Sequence, residues 1–391
     1  MVRSYCWIGS SIVAALAALL PPKPGAASGY RVDNLVSDVA GAADHTDADS
    51  LNAWGMAFSP TSPIWVANNH SGKATLYDGL GNKQGLVVTI PDPTGTQGSG
   101  APTGIVFSGG SDFTLPPIVG TVPARFIFAG EDGVISAWAS TIPAAGSTTA
   151  QVVANRSANN AIYKGLALGV SGGNDFLYAT DFHNGHIDVF NSGFGFTSLA
   201  GNFTDPNLPA GFAPFGIQNI GGQLFVTYAK QDATAEDDDP AAGNGYVDIF
   251  DTSGNFVKRL VSQGNLNSPW GLAKAPANFG DLSNALLVGN FGDGRINAYD
   301  PSTGAPLGTL SDKNSSPILI GGLWGMQFGN GATNQPTNTL FFSAGPGGEA
   351  HGLFGRIDAV PEPTALRLAV VAACAIAMFR VMPGRRSGCD Q

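Results

Sequence analysis

Proton transfer and metal binding near neutral pH fall mainly to histidine and carboxylate side chains, and this chain gathers them in short polar loops. Such loops stand at 68–72, 131–133, 181–185, 230–245, 290–294 and 349–352. They hold His70, Glu131, Asp132, Asp181, His183, Asn184, Asp232, Asp293 and His351. Of the other histidines, His186 opens the segment after one of these loops and His45 lies in a further one. Asp and Asn also serve as turn formers, because their side chains bond local backbone and tolerate αL. Glu131, Asp181, His183, Asp232 and His351 are not required by the turns, which marks them as candidate binding residues. Two acidic stretches, 44–49 and 232–239, offer the oxygen ligands that hard cations take. Asp237, Asp238 and Asp239 would be ligands and Ca²⁺ or another divalent cation the ion. The alternative is a solvated acidic loop, since neither stretch has EF-hand spacing. The chain has no Gly-x-Ser-x-Gly elbow, His-Glu-x-x-His pair or Walker loop. No residue is assigned a catalytic role.

The elements that must position these loops repeat. A step of one residue, then Gly, then Leu, Ile or Met has its glycine at 55, 104, 165, 216, 271 and 325. The spacings are 49, 61, 51, 55 and 54 residues, a period that points to a repeat architecture. Ser268-Pro269-Trp270-Gly271-Leu272-Ala273 is its clearest copy. After each step comes an apolar run, at 64–67, 126–129, 176–179, 224–227, 286–289 and 340–343. A polar loop and an alternating segment follow, the hairpin pattern, and a fourth run such as 256–261 closes most units. Six units of four antiparallel strands predict an all-β, six-bladed β-propeller. The sixth unit stops after its third strand, and 30–36 resembles the missing fourth, so the N-terminal strand is expected to close the last blade. Glycine in the innermost strands allows close backbone approach. Trp54, Trp270 and Trp324 precede three of the glycines; they would pack between blades or floor a ligand site at the pore mouth.

Composition narrows the partners. Only 12% of residues are charged, and 54 glycines with 26 prolines suit short strands and tight turns. Residues 1–28 have Arg3, an apolar run from 7 to 20 and a proline-rich exit with small residues, the form of a secretory signal peptide. Residues 360–391 read Pro361-Glu362-Pro363, an apolar stretch of 12 residues from 368 to 379, and the pair Arg385-Arg386. The body, 29–359, is expected to be a single propeller. With both ends set aside it carries 13 Lys and Arg against 27 Asp and Glu, a balance near −14. That excludes nucleic acid and anionic membrane surfaces, which require cationic patches. All three cysteines (Cys6, Cys374, Cys389) lie in the two ends, so the body has no disulfide and must rely on packing.

Pro361-Glu362-Pro363, the apolar segment and the terminal arginines resemble the PEP-CTERM sorting signal of Gram-negative bacteria. The resemblance implies an exosortase-type processing enzyme as partner, transient anchoring of the tail in the inner membrane, and release to the periplasm, cell surface or exterior. The strings Pro269-Trp270-Gly271-Leu272-Ala273, Tyr228-Ala229-Lys230-Gln231-Asp232 and Glu349-Ala350-His351-Gly352 are similar to a family of bacterial secreted propellers that often carry such tails. More loosely, the Trp-Gly-Leu-Ala steps resemble NHL-repeat and gluconolactonase-like propellers. The latter bind a divalent metal at the pore mouth through Glu, Asn and Asp, and their ligands have no residue-by-residue match here. The expected function is a non-enzymatic binding module at the cell surface or in the extracellular matrix, with a glycan or exopolysaccharide as ligand. The alternative is a divalent-metal-dependent lactonase or other hydrolase using the pore-mouth carboxylates and histidines.

Overall fold

A computed structural model describes residues 27–115 and 122–361. Six mainly antiparallel sheets stand around a common centre; five run in sequence order from the axis outward, and the sixth ends on strands from the N-terminus. The innermost strands are Ala53–Ala57, Pro102–Phe107, Tyr163–Ser171, Phe212–Ile220, Pro269–Lys274 and Leu323–Phe328, and each contains one of the six glycine steps. The chain is a six-bladed β-propeller. Its described residues include only three short 3₁₀ turns and no α-helix, and no helix among them is long and apolar enough to cross a membrane.

Apolar side chains sort into one cluster per blade junction and one on the axis. The second strands show why they are apolar throughout. Alternate residues of a strand point to opposite faces, and each face meets a neighbouring blade. Thus Leu286 and Val288 pack towards the fourth blade while Leu287 between them packs towards the sixth.

The glycines set how close the blades come. A Cβ on Gly216 would lie 2.1 Å from the Trp270 carbonyl oxygen, and one on Gly325 would lie 2.6 Å from that of Trp54. In each case the obstacle is the next blade's inner backbone, and the other four steps show the same crowding. Hydroxyls pin the junctions: Thr180 Oγ1 donates to the Phe215 oxygen at 2.7 Å, and Thr103 Oγ1 to that of Tyr163 at 2.7 Å. Ser343 Oγ donates to Trp54 O across the closing junction.

Ring closure follows the sequence expectation. Ala27–Ser37 pairs antiparallel with Leu353–Pro361 as the fourth strand of the last blade, and His45–Thr46 adds a parallel edge. Tyr30 is buried; its hydroxyl donates to Phe279 O at 2.9 Å and accepts from Leu282 N at 3.1 Å, which ties this strand to the fifth blade. Pro361 ends the last strand opposite Ala27. Most of the expected signal peptide, the rest of the sorting motif (Glu362, Pro363, Arg385, Arg386) and all three cysteines lie outside the described residues.

Candidate functional site at the axial mouth

Two repeated positions furnish one end of the axis. The first is the residue before each glycine: Trp54, Thr103, Lys164, Phe215, Trp270 and Trp324. The second is the residue that follows each second strand and donates its backbone N–H to the loop entering the inner strand. Asn69 bonds Asn52 O at 2.9 Å, Glu131 bonds Ala101 O at 3.0 Å, Phe182 bonds Ile162 O at 2.9 Å and Phe291 bonds Ser268 O at 2.9 Å. These bonds fix the loops, so the side chains at both positions are set by the fold.

Aromatic residues close the channel. Trp54 and Trp324 stack with ring centroids 3.6 Å apart, and Phe291 stacks on the other side of Trp324 at 4.0 Å. Trp270 meets both tryptophans edge-on at 6.2 and 5.9 Å. Trp54 and Trp324 are buried, so they form a plug on the axis. Trp54 and Trp324 belong to the adjacent first and sixth blades and Trp270 to the fifth, so of the two expectations the packing between neighbouring blades is the one seen, here at the axis. Beyond the plug, a cavity of about 260 Å³ opens towards the opposite face, lined by Met56, Ile105, Leu166, Ile217, Leu272 and Met326. It carries no ionisable side chain.

The chemistry sits on the other side. Lys164 is 1% exposed, with its ammonium 5.3 Å from the Trp54 ring centroid. Nζ makes a close ion pair with Glu131 Oε1 and a second with Asp237 Oδ1 at 2.9 Å. Burial would lower its pKa, but the charges and hydrogen bonds of Glu131 and Asp237 outweigh burial and hold it above the ordinary lysine range. Lys164 is therefore a fixed cation, unsuited to act as nucleophile or base. Asn69 Nδ2 donates to Glu131 Oε2 at 2.7 Å. Asn52 Nδ2 donates to Glu349 Oε2 at 2.6 Å while its Oδ1 accepts from Trp324 Nε1 at 3.2 Å, linking rim to plug. Glu349 sits in the left-handed region (φ 68°). Burial pushes its carboxyl up to about 7, with the Asn52 hydrogen bond opposing the rise and the Glu131 charge adding to it. Burial of its carboxyl beside Ser268 pushes half-buried Asp238 up to about 6.

The chain is 33% identical to the uncharacterized protein R648 of Acanthamoeba polyphaga mimivirus over 91% of this chain and 87% of that one. It matches the uncharacterized protein L690 of the same virus at 31% identity over 83% of this chain and 86% of that one. The chain belongs to the family of these two proteins. No family model matches it. Among solved structures, a structural genomics protein of unknown function from Bacteroides thetaiotaomicron aligns with TM-score 0.53 and 10% identity, covering 84% of this chain and 76% of that one. At that identity the likeness concerns fold alone.

In this family member the structure separates the sequence-derived candidates. Glu131 stands at the mouth, and exposed His70 lies at its edge, with Nε2 3.4 Å from Asn52 Nδ2. Glu131, Asp132 and His183 also line a side groove of about 310 Å³ together with Ser157, Asn160 and Glu236. Burial pushes Asp132 up to about 6. Asp181 and Asp232, expected to be free of turn duty, both hold turns. Asp181 accepts from Ile162 N, Asn184 N and Asn184 Nδ2, and Asp232 Oδ1 accepts from Thr234 N and Glu236 N. Asp293 likewise accepts from Asn290 Nδ2 and Arg295. Asn184 is spent on Asp181 and Asn159 O. His351 lies 2.9 Å from Asp38 Oδ2, towards the N-terminal strand.

The acidic stretches already hold cations of the protein's own. Asp47 and Asp49 are paired with Lys83 at 2.7 and 2.8 Å, and Asp49 also with Lys73 at 2.5 Å. Asp237 takes Lys164, Asp239 takes Lys230 at 2.6 Å, and Asp238 turns inward. The three do not converge as a ligand set. Among the described residues one compact His and carboxylate group exists, Asp181, His186 and Asp188. Its Asp188 is committed to His186 at 2.9 Å, Tyr163 OH at 2.6 Å and Arg156 Nε at 3.2 Å. A guanidinium at that carboxylate repels a second cation.

Sequence reasoning overlooked Lys164, Asn52, Asn69 and Glu349 as members of one site. A signal for Lys164 was present: it is the only ionisable residue among the six that precede a repeat glycine.

Proposed function

We propose that this protein is an exported, non-enzymatic binding module whose ligand docks at the Lys164 mouth and is a glycan or exopolysaccharide. The observation that carries the reading is the mouth itself. One half presents the partly exposed carboxylates of Glu131 and Glu349, held in place by the buried amides of Asn69 and Asn52, and the other is closed by stacked aromatic residues. Polyhydroxylated ligands are held by such polar groups, with apolar surface against their C–H faces. Most titratable groups there are already spent on internal ion pairs or turns, which leaves them suited to holding a ligand rather than turning it over. Export and processing through a PEP-CTERM/exosortase system belong to the same proposal and rest on residues 1–28 and 360–391.

The second reading, a hydrolase, draws on one observation: Glu349, pushed up to about 7, stands near ion-paired Glu131, and carboxyl groups with separated pKa values can divide acid and base roles. A glycan array with the protein recovered outside the cell, followed by calorimetric titration of the hits, tests the first reading. Hits should weaken at least tenfold (about 1.4 kcal/mol) in His70→Ala or Glu131→Gln, and the intact mass should lack both ends. Metal-dependent turnover of a lactone or phosphoester, or hits indifferent to both substitutions, would overturn it.

A further inference from the structure

The two partners of Lys164 differ in kind. Glu131 is part of the scaffold: its backbone is bonded to Ala101, its second oxygen is held by Asn69, and its side chain is 25% exposed. Asp237 belongs to the 232–239 insertion, and its side chain is 71% exposed while the lysine it contacts is 2% exposed. Its carboxylate therefore reaches the buried ammonium from the solvent side. The insertion is anchored without this contact. Asp232 N bonds Asp237 O at 2.8 Å, Asp239 N bonds Lys230 O at 2.7 Å, and Lys230 pairs with Asp239. Asp237 can leave by a side-chain rotation alone, with the backbone in place.

We infer that Asp237 is a built-in occupant of the mouth, and that the ligand carries a carboxylate which takes its place on Lys164. The inference rests on the reading of this mouth as the binding site. The exchange replaces one carboxylate by another, so local charge is conserved. Nearby Glu131, Asp238 and Glu349 penalise a monoanion no more than they penalise Asp237, whereas a dianionic phosphate adds repulsion in a partly dehydrated site. Among polyhydroxylated ligands this selects uronic-acid-type sugars.

Titrating the full chain with D-glucuronate, D-glucose and inorganic phosphate separates the possibilities. Asp237→Ala should bind glucuronate at least tenfold more tightly than the unaltered protein, with no gain for glucose or phosphate. Asp239→Ala, which removes the acid paired with Lys230, should leave glucuronate binding unchanged. Asp239 pairs with an exposed lysine, so Asp239→Ala should keep the parent melting temperature, whereas Asp237→Ala strips one of two carboxylates from a buried ammonium and should lower it modestly, with Glu131 keeping its pair. An equal gain for glucose, or the same gain from Asp239→Ala, overturns the carboxylate-exchange inference and leaves the mouth as a glycan site. Failure of Asp237→Ala to bind glucuronate overturns it too; if array hits persist and respond to His70→Ala, the binding reading survives on its own.

Discussion

At the scale of single residues, the repeat glycines and their preceding residues do different jobs. The glycine is fixed by contact distance, because any side chain there would enter the neighbouring blade's backbone. Gly216→Ala should therefore destabilise the protein by more than about 2 kcal/mol, in the manner of overpacking in a dense core. Gly85 lies on an outer strand with nothing within 4 Å of a Cβ and no positive φ, so Gly85→Ala should be neutral or slightly stabilising. Chemical denaturation of the two variants checks this, and equal losses would refute the close-approach account. The residue before each glycine is free to vary because its side chain leaves the crowded backbone. That freedom lets Trp54, Phe215, Trp270 and Trp324 build an axial plug and Lys164 a buried ammonium from one repeated backbone.

At the scale of elements, the blade is the unit and the junction is where stability resides. Each second strand is apolar on both faces because both face other blades. In the first, third, fourth and fifth blades the third strand carries a buried polar residue (Thr75, Asp188, Asp248 and Asn297) answered within the blade or by a neighbouring loop. Asp248 pairs with Arg259, which also pairs with Asp205, and Asn297 Oδ1 accepts from Thr309 Oγ1 at 2.8 Å. The closing strand Ala27–Ser37 is the one element whose pairing spans the ends of the ring. Deleting 30–38 exposes the last blade's edge and unseats buried Tyr30, Leu35 and Val36. The melting temperature should fall sharply in differential scanning calorimetry, and an unchanged melt would contradict non-covalent closure.

At the scale of the molecule, several buried or half-buried acids couple stability to pH. Burial pushes Asp132 and Asp238 up to about 6 and Glu349 and Asp248 up to about 7. A carboxyl whose folded pKa exceeds its unfolded value binds more protons folded than unfolded between the two. Its stabilisation is complete below the ordinary carboxylate range and is lost as pH rises through the folded pKa. His186, raised chiefly by its hydrogen bond to Asp188, acts in the same direction at higher pH. The melting temperature should therefore decline from about pH 5 to pH 8, and Glu349→Gln should flatten part of the decline. A melt that rises across this window would refute the account.

The sequence alone determined the architecture, because a period near 50 residues, paired with alternating and continuous apolar runs, satisfies backbone hydrogen bonding and burial in few other ways. It also determined how the ring closes, since 30–36 supplies the strand that the last unit lacks. It could not say which acids were free. Asp232 and Glu131 look alike as letters, yet one caps a turn and the other holds a buried ammonium. Lys164 lies 33 residues from Glu131, 73 from Asp237 and 185 from Glu349 in the chain. Only the closed ring brings them to one mouth, because that proximity depends on the radius at which six inner strands meet, and no local pattern encodes it.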